Sequence, residues 1–174
     1  MKKTIAPTVN EIVLREDDII VSKTDLKGRI TYANQTFCRI AGYTESELMG
    51  QPHSIIRHPD MPRAVFKLLW DTIAESREIF AYVKNMAKNG DSYWVFAHVT
   101  PSYDMNHNII GYHSNRRCPD RNIIENAIAP INAATLQEEK RHRNGQQALA
   151  AGFGFLVNFL KSKNTTYDEL IFSL

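Results

Sequence analysis

The run 57–62 (Arg-His-Pro-Asp-Met-Pro) places a guanidinium, an imidazole and a carboxylate close together along the chain. A guanidinium can pair with a phosphate through its fork of donors, and an imidazole can donate to a phosphate or a ribose hydroxyl. Asp60 also predicts a helix N-cap, and Pro62 suits a first helical turn. The amides that begin such a helix favour anions. The run therefore predicts an anion-binding site, with a capped helix and a surface salt bridge as the ordinary alternative.

Alternating apolar residues and turn signals predict the sheet that must position this run. Asn89-Gly90 favours a tight hairpin, because both residues can adopt positive φ. The predicted strands are Ile19–Thr24, Arg29–Tyr32, Glu78–Lys84, Asp91–Thr100 and Ile109–Arg116. Short helices follow the second strand, and a longer one runs from Met61 to about Ser76. This order predicts an α+β domain with a five-stranded antiparallel sheet and helices over one face.

The character of the chain changes after Pro119, where helical patterns replace strands. We expect a helix from Asn122 to about Arg143, interrupted by Pro130. The second helix, Gln146 to Lys163, is apolar nearly all round and so requires burial on two sides. It is either a docking element for a partner or a lid on the sheet of its own domain, and we favour self-packing. The expected divisions are an N-terminal extension (1–15), a sensory domain (16–118) and a C-terminal helical extension (119–174).

Composition excludes several classes of function. Twenty-one Lys and Arg against nineteen Asp and Glu give a formal charge of +2, which removes most of the electrostatic case for nucleic-acid binding. The two cysteines are too few for a disulfide framework or a structural zinc site. The most apolar stretch, 148–160, is shorter than a membrane span and contains Asn158. No secretory signal is evident, so we expect a cytoplasmic protein without direct membrane insertion.

Several motifs together resemble one family. The matching pieces are ITYAN (30–34), AGYTESEL (41–48), GQPH (50–53), IRHPDMP (56–62), KNGD (88–91) and Tyr93-Trp94. Over roughly residues 16 to 118 the chain resembles a PAS domain, and in detail the FAD-binding sensory domain of bacterial aerotaxis (energy taxis) transducers. The resemblance implies the PAS fold, FAD as cofactor, and a redox, oxygen or respiratory signal.

The resemblance also implies a set of cofactor-binding residues. Arg57 would pair with the pyrophosphate of FAD, His58 would donate to phosphate or ribose, and Asp60 would hold a ribose or the arginine. Asn85 matches an asparagine that lies near the flavin ring in FAD-binding PAS sensors.

Four further residues are candidates for the same site. Trp70 could wall the flavin, and His53 and Trp94 are possible contacts. Asn34 is either a helix cap or a contact.

The resemblance further implies a signalling partner. Aerotaxis transducers continue into a membrane segment and a coiled coil, whereas this sequence stops at residue 174. We therefore expect a separate chemotaxis receptor as partner, membrane-bound or cytoplasmic, and a possible homodimer. Reduction of the flavin would change the hydrogen bonds that Asn85 makes, and the strands from Glu78 to Arg116 would carry the change.

Other functions stay open at this point. A haem-binding PAS gas sensor would need an axial histidine, and His98 or His113 could serve. A PAS module without cofactor could act in dimerisation or as a scaffold, and a flavoenzyme would need an open substrate site. Flavin–cysteine photochemistry is not expected, because Cys38 is predicted to be a small core residue. No catalytic motif is present, so we do not expect an enzyme.

Overall fold

The computed structural model describes residues 5–174, and a five-stranded antiparallel sheet lies at its centre. The strand order is β2-β1-β5-β4-β3, so the two opening strands pair with the later three, as predicted. The turn at Asn89-Gly90 joins β3 and β4, and Gly90 has a φ of +96°. The strands are β1 (Ile20–Thr24), β2 (Ile30–Ala33), β3 (Ile79–Met86), β4 (Ser92–Tyr103) and β5 (Ile109–Arg117).

Two short helices follow β2, and both begin at the predicted caps. Asn34 accepts a hydrogen bond from the amide of Phe37 and begins α1 (Gln35–Ala41). Thr44 and Glu47 form a complete capping box at the start of α2 (Glu45–Leu48). A 3₁₀ turn at His53–Ile56 then leads into the 57–62 run. Local side-chain chemistry therefore determines where these elements start.

The longer helix α3 spans Arg63–Ala74, so the prediction that Asp60 caps it is wrong. Pro62 occupies the N-cap position and provides no side-chain acceptor. The amides of Arg63 and Ala64 instead donate to the carboxylate of Glu139, at 3.1 and 2.9 Å. The helix start is therefore already neutralised by the chain's own carboxylate, and the prediction of free anion-binding amides there is also wrong.

The C-terminal extension begins with a helix that Pro130 does not interrupt. Helix α4 (Arg121–Ile123) passes into a π-helical turn (Ile124–Ile128) and on into α5 (Ala129–Lys140). Pro130 lies at the first turn of α5, directly after the π-helical turn. A wider turn before the proline accommodates its ring and its missing amide, so the expected break is absent.

The last two helices pack on different parts of the domain. Helix α6 (Gly145–Ser162) contacts α3 and α5, so it packs on its own chain, although on helices and not on the sheet. Helix α7 (Tyr167–Ser173) lies on β3, where the rings of Phe172 and Phe80 are 4.8 Å apart. The fold class is therefore as predicted, with C-terminal helices added to it, and α7 lies on the face of the sheet opposite α3. Within residues 5–174, no helix combines the length and apolarity needed to cross a membrane.

Candidate functional site

A cavity of about 320 Å³ lies between α3 and the sheet. Ligand sites typically occupy about 300 to 1,000 Å³, so this cavity is large enough for a ring system but small for a complete dinucleotide. Its walls are mainly apolar, and polar groups from β1, β3 and β5 interrupt them. The apolar walls include Ile56, Phe66, Leu69, Ile73, Val83, Val99 and Tyr112.

Asn85 lies on β3 in the wall of this cavity and is 4% exposed. Its backbone pairs with Arg57, which fixes the 57–62 run against the edge of the sheet. No hydrogen bond within residues 5–174 uses the side-chain amide of Asn85, although nearly all buried amides have partners. The amide therefore offers both a donor and an acceptor to a group in the cavity.

Arg57 also lines the cavity and is held by two local contacts. Its guanidinium lies over the ring of Phe66 at 4.7 Å and donates to the carbonyl of Met61 at 3.1 Å. Burial lowers the pKa of Arg57. These contacts use only part of the guanidinium fork, so Arg57 retains donors for an acidic group.

Trp70 lies on α3 at the side of the cavity next to the β1–β2 turn. Its ring meets Tyr112 edge-on at 5.5 Å between centroids. It also lies against Gly28, where a Cβ atom would be only 2.8 Å from the indole ring, and Gly28 has a φ of +72°. A side chain at position 28 would therefore displace Trp70 and strain the backbone.

His53, Ser22 and Arg116 form a polar cluster in the cavity wall. Arg116 donates to the hydroxyl of Ser22 and, at 3.3 Å, to Nε2 of His53. The hydroxyl of Ser22 is also 3.3 Å from Nε2. Burial and the nearby Arg116 charge lower the pKa of His53 to about 3. A neutral His53 that accepts at Nε2 is consistent with both contacts.

The low pKa of His53 predicts acid sensitivity of the fold. The unfolded chain binds a proton at His53 near pH 6.5, whereas the folded chain does so only near pH 3. Unfolding therefore takes up a proton between these values, and the free energy of unfolding falls as pH drops below 6.5. The free energy of unfolding falls by at most about 1.4 kcal/mol per pH unit. The fall is smaller than this, because solvent reaches part of the His53 ring.

Chemical denaturation between pH 4 and 7 tests this sensitivity. The variant His53→Gln should show a flatter decline towards acid than the native chain. His142→Gln, at an exposed position after α5, is the matched control and should leave the slope unchanged. Equal slopes for the native chain and His53→Gln would contradict the assignment.

The remaining predicted site residues lie outside the cavity. Asn34 uses its side chain to join β1 to α1, since it accepts from Val21 and donates to Ile19. His58 is buried, and its Nδ1 accepts from the amide of Asp60 at 3.1 Å, so it shapes the turn before α3. Burial lowers the pKa of His58, in keeping with a neutral ring.

Asp60 and Trp94 line a second, more open groove of about 410 Å³ against α5. Asp60 is exposed and pairs with Lys84 at 3.2 Å. Trp94 lies beside Lys84 on the sheet face opposite the cavity. The structure thus brings His53, Arg57, Trp70 and Asn85 together in one cavity, and separates Asn34, His58, Asp60 and Trp94 from it.

The two histidines considered as haem ligands differ in position. His98 stacks on Phe80 at 4.1 Å and contacts Glu78, on the face of the sheet opposite the cavity. His113 contributes to the cavity wall, and burial lowers its pKa. Of these two histidines, only His113 is placed to reach a group in the cavity.

Sequence reasoning missed several polar residues of the cavity wall, and three of them are buried. Thr24, on β1, has a buried hydroxyl without a hydrogen-bond partner, and Ser22 and Arg116 belong to the polar cluster. The sequence of β5 could have indicated Arg116. Side chains alternate between the two faces of a strand, so Tyr112, Ser114 and Arg116 share a face. A charged residue on the same face as a buried tyrosine indicates a polar interior site.

The fold and this cavity are those of a sensory module of the PAS class. The family model described as PAS fold matches residues 30–116, and the chain belongs to this family. PAS domains are in general signalling modules.

Two curated relatives and one solved structure show the likeness. The chain is 44% identical over 119 residues to the aerotaxis receptor of Escherichia coli K12, covering 68% of this chain and 23% of the receptor. It is 29% identical over 89 residues to the nitrogen fixation regulatory protein of Klebsiella pneumoniae, covering 51% of this chain and 18% of that protein. The chain thus spans less than a quarter of the length of these relatives.

The solved structure is that of the blue-light photoreceptor Aureochrome1 LOV in its dark state, with a TM-score of 0.56. The two share 20% identity over 67% of this chain and 86% of the other. At this level of identity the likeness supports the fold.

Proposed function

We propose that this PAS domain binds FAD and reports redox, oxygen or respiratory state to a chemotaxis-type partner. One observation supports this most strongly: a largely apolar cavity in which the side-chain amide of Asn85 has no partner within residues 5–174. A flavin ring is flat and apolar on its faces and carries donors and acceptors along one edge. The chemistry of the cavity wall fits such a ring.

The other groups of the cavity fit the same ligand. Trp70 and Phe66 provide aromatic walls. Arg57 provides a cation at the edge of the cavity. The chain continues from Arg57 into the surface turn before α3. A pyrophosphate would take up the donors that Arg57 does not use for Met61.

When bound, a flavin supplies a ring that accepts and releases electrons. Asn85 would orient that ring through its amide, and a change in its hydrogen bonds would act directly on β3, one of the two edge strands of the sheet. Helix α3 forms the opposite wall and contacts α5 and α6, so a movement of α3 would reach the C-terminal helices. A partner receptor, or a second copy of this chain, would bind the C-terminal helices and respond to their movement.

Titration of the native chain with FAD and with FMN tests the dinucleotide. We expect tighter binding of FAD than of FMN. Arg57→Ala should weaken FAD binding about tenfold or more, since hydrogen bonds to charged groups contribute about 1.5–3 kcal/mol. Arg77→Ala, an exposed arginine paired with Glu75, is the matched control and should bind normally. Unchanged FAD affinity in folded Arg57→Ala would remove Arg57 from the site.

A further inference from the structure

Arg116 is a fully buried cation in the wall of the cavity. It lies on β5, is 2% exposed, and its guanidinium is 4.7 Å from the centre of the Phe37 ring. Its Nη atoms donate to Ser22 and His53, both of which are uncharged acceptors. Its Nε has no hydrogen-bond acceptor among residues 5–174. The side chain is therefore fixed in place with part of its donor set unused.

The charge of Arg116 is not balanced by a carboxylate. No ion pair within residues 5–174 includes this arginine, whereas buried charges in proteins are normally paired. Burial lowers the pKa of Arg116 to about 10, so the group remains a cation at neutral pH. Its titratable neighbours are His53, Tyr93 and His113, none of which is an acid of low pKa.

We propose that Arg116 is the anion-recognising residue of the cavity, and that it binds the N1–C2 carbonyl edge of the flavin ring, most tightly when that edge is negatively charged. This inference rests on the proposed function. An anionic group could also come from a phosphate. The ring edge is the better occupant, because Arg116 is almost fully buried and lies over the Phe37 ring, whereas the partly exposed Arg57 is available to phosphates.

Reduction of the ring changes the strength of its contact with Arg116. Two electrons and one proton from a reductant such as dithionite leave a ring that bears a negative charge at N1, unless a second proton binds there. A fixed guanidinium beside N1 stabilises the charged form and opposes the second proton. Arg116 thus favours the reduced ring over the oxidised ring in binding.

The test compares the affinities of oxidised FAD and dithionite-reduced FAD for Arg116→Gln. The affinity for reduced FAD should fall at least tenfold more than that for oxidised FAD. This difference corresponds to a midpoint potential about 30 mV more negative for a two-electron couple. Arg117→Gln, exposed and adjacent on β5, is the matched control and should leave both affinities unchanged. An equal loss for both forms, or no loss, overturns the inference while FAD binding by the native chain stands.

A second measurement needs no variant and so does not depend on the folding of Arg116→Gln. The absorption of the bound, reduced ring is followed as the pH is lowered. In the native chain the ring should remain anionic at pH values where free reduced FAD has taken up its second proton. Protonation at the pH of free reduced FAD overturns the inference. If the native chain binds neither form of FAD, the result contradicts the proposed function itself and not only the role of Arg116.

Discussion

Ala97→Phe should abolish FAD binding and leave the domain folded. Ala97 lies on β4 in the wall of the cavity and is 3% exposed. A phenyl ring at this position enters the space that a flavin ring would occupy. Because filling a cavity with apolar atoms commonly adds about 0.5–2 kcal/mol of stability, the thermal midpoint should stay the same or rise. FAD titration should show no saturable binding.

Ala81→Phe is the matched control for this variant. Ala81 is the cross-strand partner of Ala97 on β3 and is equally buried, but it does not line the cavity. A larger side chain there overpacks the core and should lower the free energy of unfolding by about 1–3 kcal/mol. Normal FAD affinity in folded Ala97→Phe would mean that the ligand does not occupy this cavity.

Glu139→Ala should cause the largest loss of stability among single changes in the C-terminal extension. The carboxylate of Glu139 is buried and accepts from two amides at the start of α3. Its removal leaves those amides without an acceptor and also takes away the contact with Gly152 of α6. Loss of a helix cap costs about 0.5–2 kcal/mol. A loss of about 2 kcal/mol lowers the thermal midpoint by roughly 4–8 °C in a chain of this length.

Two comparisons separate this effect from a general loss of charge. Glu138→Ala removes a neighbouring carboxylate that pairs with Arg141 at the surface, and it should change stability by less than about 1 kcal/mol. Hydrogen exchange should accelerate at Arg63 and Ala64 in Glu139→Ala only. Equal stability of the two variants would contradict the role of Glu139 as the link between α3 and α5.

Features that depend on neighbours in sequence were predictable. The capping box at Thr44 and Glu47, the cap at Asn34 and the hairpin at Asn89-Gly90 need only residues within four positions of each other. For that reason the strands and short helices occur close to their predicted bounds. The prediction of Asn85 in the cavity wall depended on family resemblance, since an asparagine on a strand next to a hairpin is not distinctive by itself.

Features that depend on distant residues were not predictable. The start of α3 is determined by Glu139, which lies more than seventy positions away in sequence. Asp60 had the right residue type for a cap, but Lys84 holds it at the surface. Arg116 was missed because a lone arginine near a strand end usually faces solvent. The packing of β5 between β1 and β4, together with the face that Arg116 shares with the buried Tyr112, shows that its side chain points inward.

The absorption spectrum of the purified chain, with mass identification of any released cofactor, tests the central claim most directly. We predict the two-banded spectrum of an oxidised flavin and the mass of FAD in the released fraction, after incubation with FAD if the protein is isolated colourless. A Soret band would instead indicate haem in the cavity, with His113 as the candidate ligand. A folded protein that remains colourless after incubation with FAD would contradict the account and favour a PAS module without cofactor.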